Sequence, residues 1–200
     1  HSLPLSIIHA GNTAAGIDLP EHAGQMLRLG IGMYGLYPSG EVRKDRIALE
    51  PALTLKTRVV HAKTVQAGES ISYGGRYVAA RAESVGTIPV GYADGFSRML
   101  SGKAEALLRG RKVPVLGTIC MDQCMIGLDG VELGGASPVE PGEEVVLIGR
   151  QGDEAITAED VAAKLGTINY EVTCMIAARV PRVYLKGGET AAVSNPITSC

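Results

Sequence analysis

The sequence predicts a mainly β protein, a barrel or a sandwich, that is preceded by a short α/β segment. From Leu53 onward, short runs of alternating apolar and polar residues are separated by clusters of turn-forming residues. Before that point, an apolar run, a helical pattern and a glycine-rich apolar run follow one another, which is the order of a parallel α/β unit. One such unit cannot cover both faces of its sheet, so we expect it to pack on something larger.

The N-terminal segment holds three candidate elements. PLSIIH at positions 4–9 predicts a short buried strand, a helical pattern runs roughly from Glu21 to Leu27, and LGIGMYGL at 29–36 predicts a second strand. The turn-forming residues 38–40 and the charged run EVRKDR that follows them mark a boundary with the β region.

The β region contains several strand candidates and two helices. The strand candidates are LTLKTRVVHAKTV, SVGTIPVGYA, VPVLGTI, QCMIGL and EEVVLIG. Thr157 is a suitable N-cap and Gly166 a suitable stop for a helix in ITAEDVAAKLG, and NYEVTCMIAA predicts a second helix. The small and polar residues 187–200 predict a disordered tail.

Composition argues against several functional classes. The chain has 19 basic and 21 acidic residues, so long-range electrostatics favour neither nucleic acid nor an acidic membrane surface. The one compact basic cluster, Arg109 to Lys112, lies between two apolar runs and predicts a solvated hairpin turn. We find no signal peptide and no apolar run long enough to span a bilayer.

The cysteines indicate a reducing environment. Cys120, Cys124, Cys174 and Cys200 form no disulfide framework, and no second Cys/His pair completes a zinc site with the first two. We therefore expect a cytoplasmic protein without a metal. The chain begins at His1 without an initiator methionine, which suggests a fragment or a processed product.

Two candidate sites lie in the N-terminal segment. His9 to Thr13 follow the first predicted strand, at the end of a sheet where α/β folds bind ligands, although they could equally cap the next turn. Arg28 to Gly32 contain glycines whose backbone N–H groups could approach a phosphate, but a lone Gly-x-Gly more often serves strand–helix packing.

Three further candidates lie in the β region. Asp94, in PVGYADGFSR, could simply cap its own turn, with Tyr92 packing at a rim. Asp122, in GTICMDQC, must be paired if it is buried, or it faces water from an edge strand. In ISYGGRY, Gly74 and Gly75 predict a hairpin turn, and Tyr73 is either an aromatic beside that turn or a phenol placed for acid–base chemistry.

Six strings give the sequence a specific resemblance. In order along the chain, they are HAGNTA, LRLGIGMYGLYPS, ISYGGRY, IPVGYADGFSR, GTICMDQCMI and INYEVTCMIAARVPRVY. Together they resemble the C-terminal half of a bacterial alanine racemase, a pyridoxal-phosphate enzyme, from about His9 to Tyr184. The resemblance implies that residues 1–44 are the last strands and a helix of a (β/α)₈ barrel that holds the cofactor. It also implies that residues 45–186 form the C-terminal β domain, which closes the partner's active site in a homodimer.

The resemblance assigns the catalytic roles to two residues. Tyr73 matches the tyrosine base, one of two bases that exchange the α-proton of alanine on opposite faces. A tyrosine acts as a base near neutral pH only where a cation or a hydrogen-bond donor favours the phenolate. Arg28 matches the arginine at the cofactor's pyridine nitrogen, where it donates a hydrogen bond without giving up its proton. His9 is expected to orient Arg28.

The binding residues also follow from the resemblance. Pyridoxal 5'-phosphate would be bound by Asn12, Thr13, Arg28, Gly30, Ile31 and Tyr170, where Thr13 replaces a serine that is usual in the family. Met121, Asp122 and Tyr92 would line the small amino-acid substrate, with the backbone N–H of Met121 on its carboxylate.

One departure from the family limits what this chain can do alone. The family's cofactor lysine, which is also the second base, lies in an N-terminal motif, and nothing like that motif occurs here. We therefore expect this chain to be inactive alone and to need an N-terminal barrel half as its partner. Two alternatives remain at this point, a racemase of broader specificity and a non-catalytic β module for binding or assembly.

Overall fold

A computed structural model describes residues 6–132 and 137–195, and the chain divides into two compact units, His1–Leu53 and Thr54–Cys200. The unit boundary therefore lies later than the boundary predicted at residue 44. Among the described residues, no helix combines the length and the apolar character that a membrane crossing requires.

The second unit is built on an antiparallel sheet, as its alternating sequence predicts. Its long strands are β1 (Leu55–Arg58), β2 (His61–Val65), β5 (Glu83–Ile88), β6 (Glu105–Leu108), β7 (Arg111–Leu116), β8 (Cys124–Gly127) and β9 (Glu144–Gln151). The short strands are β3 (Ser70–Ile71), β4 (Tyr77–Val78) and β10 (Glu154–Ile156). The pairing order is β1-β9-β6-β7-β8-β5-β2, with β10 added beside β9.

The sheet closes on itself, so the barrel prediction is confirmed in preference to the sandwich. Strands β1 and β2 are consecutive parts of one segment, separated only by Val59 and Val60. Val59 N–H donates to Glu143 on the β9 side, and Val60 N–H donates to Thr87 on β5. The pairing path therefore begins and ends on the same segment. Fully buried aliphatic side chains cover both faces of the sheet, among them the neighbours Val146 and Leu147 on β9, with Ile88, Leu107 and Ile126 on other strands.

Two predicted turns adopt the expected conformations. Strands β3 and β4 pair through Ile71 and Tyr77, and the loop between them contains Gly74 and Gly75, both with positive φ. Between β6 and β7, Arg109 and Gly110 have φ values of 51° and 71°, so the basic cluster is a hairpin turn as predicted.

The helices of the second unit follow local capping signals. The helices are α2 (Asp129–Glu132), α3 (Ala158–Leu165) and α4 (Asn169–Met175). The Thr157 side chain accepts from the backbone N–H of Asp160, and Gly166 ends α3 in the left-handed conformation. Both predicted helices are thus confirmed.

The prediction of a disordered tail over 187–200 is wrong for residues 189–194. Glu189–Ser194 form β12, which pairs antiparallel with β11 (Arg182–Lys186). Gly187 and Gly188 both have positive φ and form the turn of this hairpin, a use of the glycine pair that the small and polar composition concealed. Residues 196–200 lie outside the described part of the chain.

The first unit contains less regular structure than its sequence predicts. Its one α-helix among the described residues is α1 (Thr13–Asp18), and 3₁₀ turns cover Pro20–His22 and Ile31–Tyr34. The helix predicted from Glu21 and the strand predicted at 29–36 are therefore wrong in these details.

The described part of the predicted strand at 4–9 has only one isolated bridge, between His9 and Gly24, and Ile7 and Ile8 are exposed. A parallel strand requires neighbouring strands and covered faces, which this unit does not supply by itself.

Candidate active site

A cavity of about 730 Å³ on the second unit brings together four residues that the sequence analysis selected. They are Tyr73, Tyr92, Met121 and Asp122. Arg98, Thr118, Ile119, Cys120 and Gln123 also line it. Tyr73 is 75% exposed and is the more exposed of the two tyrosines. A phenol, a carboxylate and a guanidinium thus face one volume that is large enough for a small polar molecule.

Tyr73 enters this cavity from the β3–β4 hairpin. The residue before it, Ser72, has φ 65° and ψ 179°, and Tyr73 itself begins a short 3₁₀ turn. The hydroxyl of Thr118 donates to the backbone carbonyl of Tyr73 at 3.0 Å. The hairpin and the cavity loop 117–123 are therefore joined directly beside the phenol.

Tyr92 and Met121 are held together by their backbones. Tyr92 N–H donates to the carbonyl of Cys120, and Ala93 N–H donates to that of Met121, both at 3.0 Å. A side chain at Gly91 would place its Cβ only 2.2 Å from the Cys120 oxygen. Glycine is required here because the two loops touch through their main chains.

Asp94 caps its own turn, as the sequence predicts. Its carboxylate accepts the N–H of Gly91 at 2.9 Å, and its own N–H donates to the Gly91 carbonyl at 3.0 Å. The carbonyl of Asp94 accepts from Ala177, just after α4. Gly95 has φ 101°, and a Cβ there would lie 2.3 Å from the carbonyl oxygen of Met175. The turn is therefore packed against the C-terminal end of α4.

Arg179 joins the two cavity loops, and no sequence pattern predicts this role. Its Nε donates to Asp94 at 2.8 Å, and its Nη2 donates to Asp122 at 2.5 Å. These hydrogen bonds, first to Asp94 and then to Asp122, raise the pKa of Arg179. Asp122 is thus neither a buried orphan nor a free surface charge but an exposed, paired carboxylate. The only signal for Arg179 in the sequence is its position in the string INYEVTCMIAARVPRVY.

The first unit brings its own selected residues together. Arg28 Nη1 lies 2.6 Å from Nδ1 of His9, and a parallel bridge pairs Asn12 with Arg28. The Asn12 side chain accepts from Ala15 N–H and so caps α1. The hydroxyl of the buried Thr13 accepts the N–H of Gly30 at 2.9 Å, directly before Ile31.

Tyr170 occupies a different place from the cavity residues. It lies in the first turn of α4, half buried, and does not line the cavity that contains Tyr73.

The pKa of the Cys124 thiol is raised to about 12 by burial and then by Cys120. A protonated buried thiol is inert, so the Cys120-x-x-x-Cys124 spacing reflects packing.

The fold and the cavity define a closed antiparallel β domain that presents a phenol, a carboxylate and a main-chain loop at one open site. The chain belongs to the alanine racemase family, since the family model described as "Alanine racemase, C-terminal domain" matches residues 52–184.

The similarity to curated relatives extends over nearly the whole chain. Alanine racemase 1 of Clostridium acetobutylicum is 48% identical over 194 residues, which are 97% of this chain and 49% of that protein. Alanine racemase 1 of Bacillus subtilis is 44% identical over 198 residues, 98% of this chain and 49% of that protein. The chain therefore spans about half the length of the curated relatives it matches.

Solved structures give the same result. The crystal structure of alanine racemase from Bacillus anthracis with bound L-Ala-P superposes with a TM-score of 0.89 at 43% identity. It is covered to 48% by 96% of this chain. The Clostridium difficile alanine racemase complex with cycloserine superposes with a TM-score of 0.85 at 43% identity, with 94% and 48% of the two chains covered.

Proposed function

We propose that this chain is the C-terminal portion of an alanine racemase, which interconverts L- and D-alanine with two bases on pyridoxal phosphate. Tyr73 is the base that this chain supplies. The observation that carries the proposal is the shared cavity, where the exposed phenol of Tyr73 lies with Tyr92, Met121 and Asp122. Those residues come from separate loops, and a structural tyrosine beside a turn has no need of them.

We assign the substrate-binding roles from the family resemblance, and the shared cavity supports them. Met121 and Asp122 line the same cavity as Tyr73, and Arg179 pairs with the Asp122 carboxylate. The Met121 N–H would bind the substrate carboxylate, and Tyr92 would limit the space beside it. A small amino acid would then present its α-proton to the Tyr73 oxygen, which accepts or returns that proton.

The residues of the first unit fit the cofactor. The Thr13 hydroxyl oxygen accepts the N–H of Gly30 at 2.9 Å, which leaves the hydroxyl proton to donate to a phosphate. Asn12 and the backbone of Ile31 would complete the phosphate contacts of this unit. When bound, pyridoxal phosphate withdraws electrons from the substrate and so acidifies its α-proton.

Arg28 would face the pyridine nitrogen of the cofactor. His9 Nδ1, 2.6 Å from Arg28 Nη1, holds the guanidinium in place. Because arginine retains its proton, Arg28 would donate a hydrogen bond to the ring nitrogen without protonating it. The cofactor would then withdraw electrons less strongly, which would favour racemisation over transamination.

The second base and the cofactor lysine would come from an N-terminal barrel half. Of the lysines of this chain, Lys44 lies in the first unit and Lys164 lies on α3, and the others lie elsewhere in the second unit: Lys56, Lys63, Lys103, Lys112 and Lys186. We further propose that the complete enzyme is a cytoplasmic homodimer, in which this domain closes the active site of the partner subunit.

Reconstitution tests this proposal. The chain is combined with an N-terminal half that carries the cofactor lysine, for example that of the Clostridium acetobutylicum relative, and pyridoxal phosphate is added. We expect interconversion of L- and D-alanine only when both halves are present. Interconversion of larger amino acids at equal rates would indicate the broader racemase, and binding without any interconversion would indicate a non-catalytic module.

Tyr73→Phe removes the proposed base and almost nothing else. We expect interconversion to fall by at least about a thousandfold, the upper part of the range for a general base, while cofactor absorbance persists. Tyr184→Phe is the matched control, since Tyr184 is also exposed but lies on β11, outside the cavity. Full activity of Tyr73→Phe would overturn the proposed role.

A further inference from the structure

We propose that Ser72 and Thr118 form a pair of hydroxyl contacts that positions Tyr73 for proton transfer. This inference rests on the proposed function, because it assigns positioning residues to the base of that reaction. It concerns two side chains that no step of that reaction uses directly.

The backbone of Ser72 has a conformation that serine rarely adopts. With φ 65° and ψ 179°, it lies in a region that is populated essentially by glycine. Arg109, another residue with positive φ, lies at a hairpin turn where the left-handed conformation is common. The strain at Ser72 immediately precedes Tyr73, and it sets the direction in which the hairpin presents the phenol.

The Ser72 side chain stabilises this conformation. Its hydroxyl donates to the carbonyl of Thr118 at 2.5 Å and lies 3.4 Å from the sulfur of Cys120. A glycine would remove the strain but also these contacts, so the serine provides something that relaxed geometry would not.

Thr118 makes a second contact, with Tyr73, the residue that follows Ser72. Its hydroxyl donates to the carbonyl of Tyr73 at 3.0 Å, and Thr118 is only 2% exposed. Each hydroxyl thus donates to a backbone carbonyl of the other segment. Ser72 of the hairpin donates to Thr118, and Thr118 of the cavity loop donates to Tyr73. Two reciprocal hydrogen bonds fix both the distance and the rotation between the segments, which a single bond does not.

Gly117 confirms how closely the segments approach. A Cβ there would lie 2.7 Å from the Ile71 oxygen and 3.0 Å from Cβ of Ser72. The hairpin is therefore pressed onto the cavity loop at its base, while Tyr73 projects outward with 75% exposure. An exposed base gains no order from packing of its own ring, so its position depends on this backbone attachment.

Amide hydrogen exchange tests the attachment without any use of activity. In the complete protein, with both halves present, we expect amides 73–76 to exchange about tenfold faster in Ser72→Ala and Ser72→Gly than in the wild type. Ser72→Gly should melt at or above Ser72→Ala, because glycine accepts the backbone conformation. Unchanged exchange in both variants would overturn the proposal.

Kinetics then separate positioning from stability. We expect Ser72→Ala and Ser72→Gly each to lower kcat at least about tenfold with KM changed by less than about threefold, since the base is misplaced while substrate contacts remain. Thr118→Val should do the same, and Thr118→Ser should restore kcat because the donor is restored. If Ser72→Gly regains activity together with stability, the role is merely structural and the proposal fails.

Tyr73→Phe in the same assay distinguishes the two levels of inference. If Tyr73→Phe abolishes interconversion while Ser72→Ala and Thr118→Val retain full kcat, the proposed function stands and the positioning role is refuted. If Tyr73→Phe is fully active, the proposed function itself fails.

Discussion

Around the cavity, one guanidinium pairs with two carboxylates that belong to different loops. Arg179 donates to Asp94 and Asp122 in directions that a planar guanidinium can satisfy together. A lysine offers a point charge and no such fixed geometry. Arg179 therefore acts on the cavity loop 117–123 through Asp122 without lining that cavity itself.

Removal of the Arg179 guanidinium should make the cavity loop 117–123 more mobile. In Arg179→Met, Asp94 and Asp122 lose their common partner, and we expect kcat/KM for alanine to fall roughly tenfold to a hundredfold, mainly through KM. Steady-state kinetics of the complete protein measure this. Arg81→Met is the matched control, since Arg81 pairs with Asp129 and does not line the cavity. An equal loss in both variants would contradict the assigned role.

A second ion pair gives a pH-dependent contribution to stability. Arg109 donates Nε and Nη2 to the carboxylate of Glu143 at 2.7 and 2.6 Å. Hydrogen bonding by Arg109 lowers the pKa of Glu143 in the folded state, and burial opposes it. Because the folded pKa lies below the unfolded value of about 4.3, the stabilisation is present above that value and is lost as pH falls through the folded pKa.

Glu143→Gln should therefore cost stability only where the carboxylate is ionised. We expect a loss of about 1 kcal/mol at pH 7, since the pair is partly exposed, and a shrinking difference from wild type as pH falls below about 4. Denaturant unfolding at pH 7 and pH 3 measures both values. Glu154→Gln, which removes a looser pair with Lys112 at 3.7 Å, should change stability little at either pH. A difference that stays constant with pH would rule out the charge as its source.

At the scale of elements, glycines show where backbone approach matters. Gly95 and Gly102 both have positive φ, 101° and 71°. A Cβ at Gly95 would lie within 2.3 Å of the Met175 carbonyl oxygen, whereas nothing lies within 4 Å of one at Gly102. Comparison of Gly102 with Gly95 therefore separates the free-energy cost of the backbone conformation from that of a steric clash.

Alanine at these positions should have unequal effects. We expect Gly102→Ala to cost about 1 kcal/mol, the conformational cost alone. Gly95→Ala should cost roughly 3 kcal/mol or more, because the turn must also move away from α4. Thermal or denaturant unfolding of the two variants measures the difference. Similar losses would mean that the contact with α4 yields easily.

Local signals predict most elements of the second unit. Thr157 and Gly166 define α3, and Gly74 and Gly75 close a hairpin, because caps and turns are decided by residues close in sequence. The same reasoning failed at the first unit, where the strand predicted at 29–36 contains a 3₁₀ turn at Ile31–Tyr34. An apolar run forms a parallel strand only beside other strands, and local pattern cannot supply them.

At the scale of the whole molecule, the first unit exposes apolar side chains that a barrel would cover. Ile7, Ile8, Leu29 and Met33 are 57%, 56%, 48% and 64% exposed. Exposure of this kind is typical of a surface that packs on further protein. An N-terminal barrel half is the partner that the proposed function requires.

Addition of that half should protect the first unit. We expect amides of residues 6–34 to exchange at least about tenfold more slowly in the assembled protein, and binding of an apolar dye to decrease. Exchange mass spectrometry with and without the N-terminal half measures this. An unrelated barrel protein serves as the control and should have no effect. Unchanged exchange with the cognate half would contradict the assembly.

The sequence by itself determined the β character of the second unit, its caps and turns, and the motifs that place the chain in its family. These depend on residues that are neighbours along the chain. The tertiary structure decided the closure of the sheet and the meeting of Tyr73, Tyr92 and Asp122 at one cavity. It alone revealed Arg179, whose partners Asp94 and Asp122 lie 85 and 57 positions away in sequence. Contacts across such separations depend on how the closed sheet brings its loops together, and no local period or turn signal encodes them.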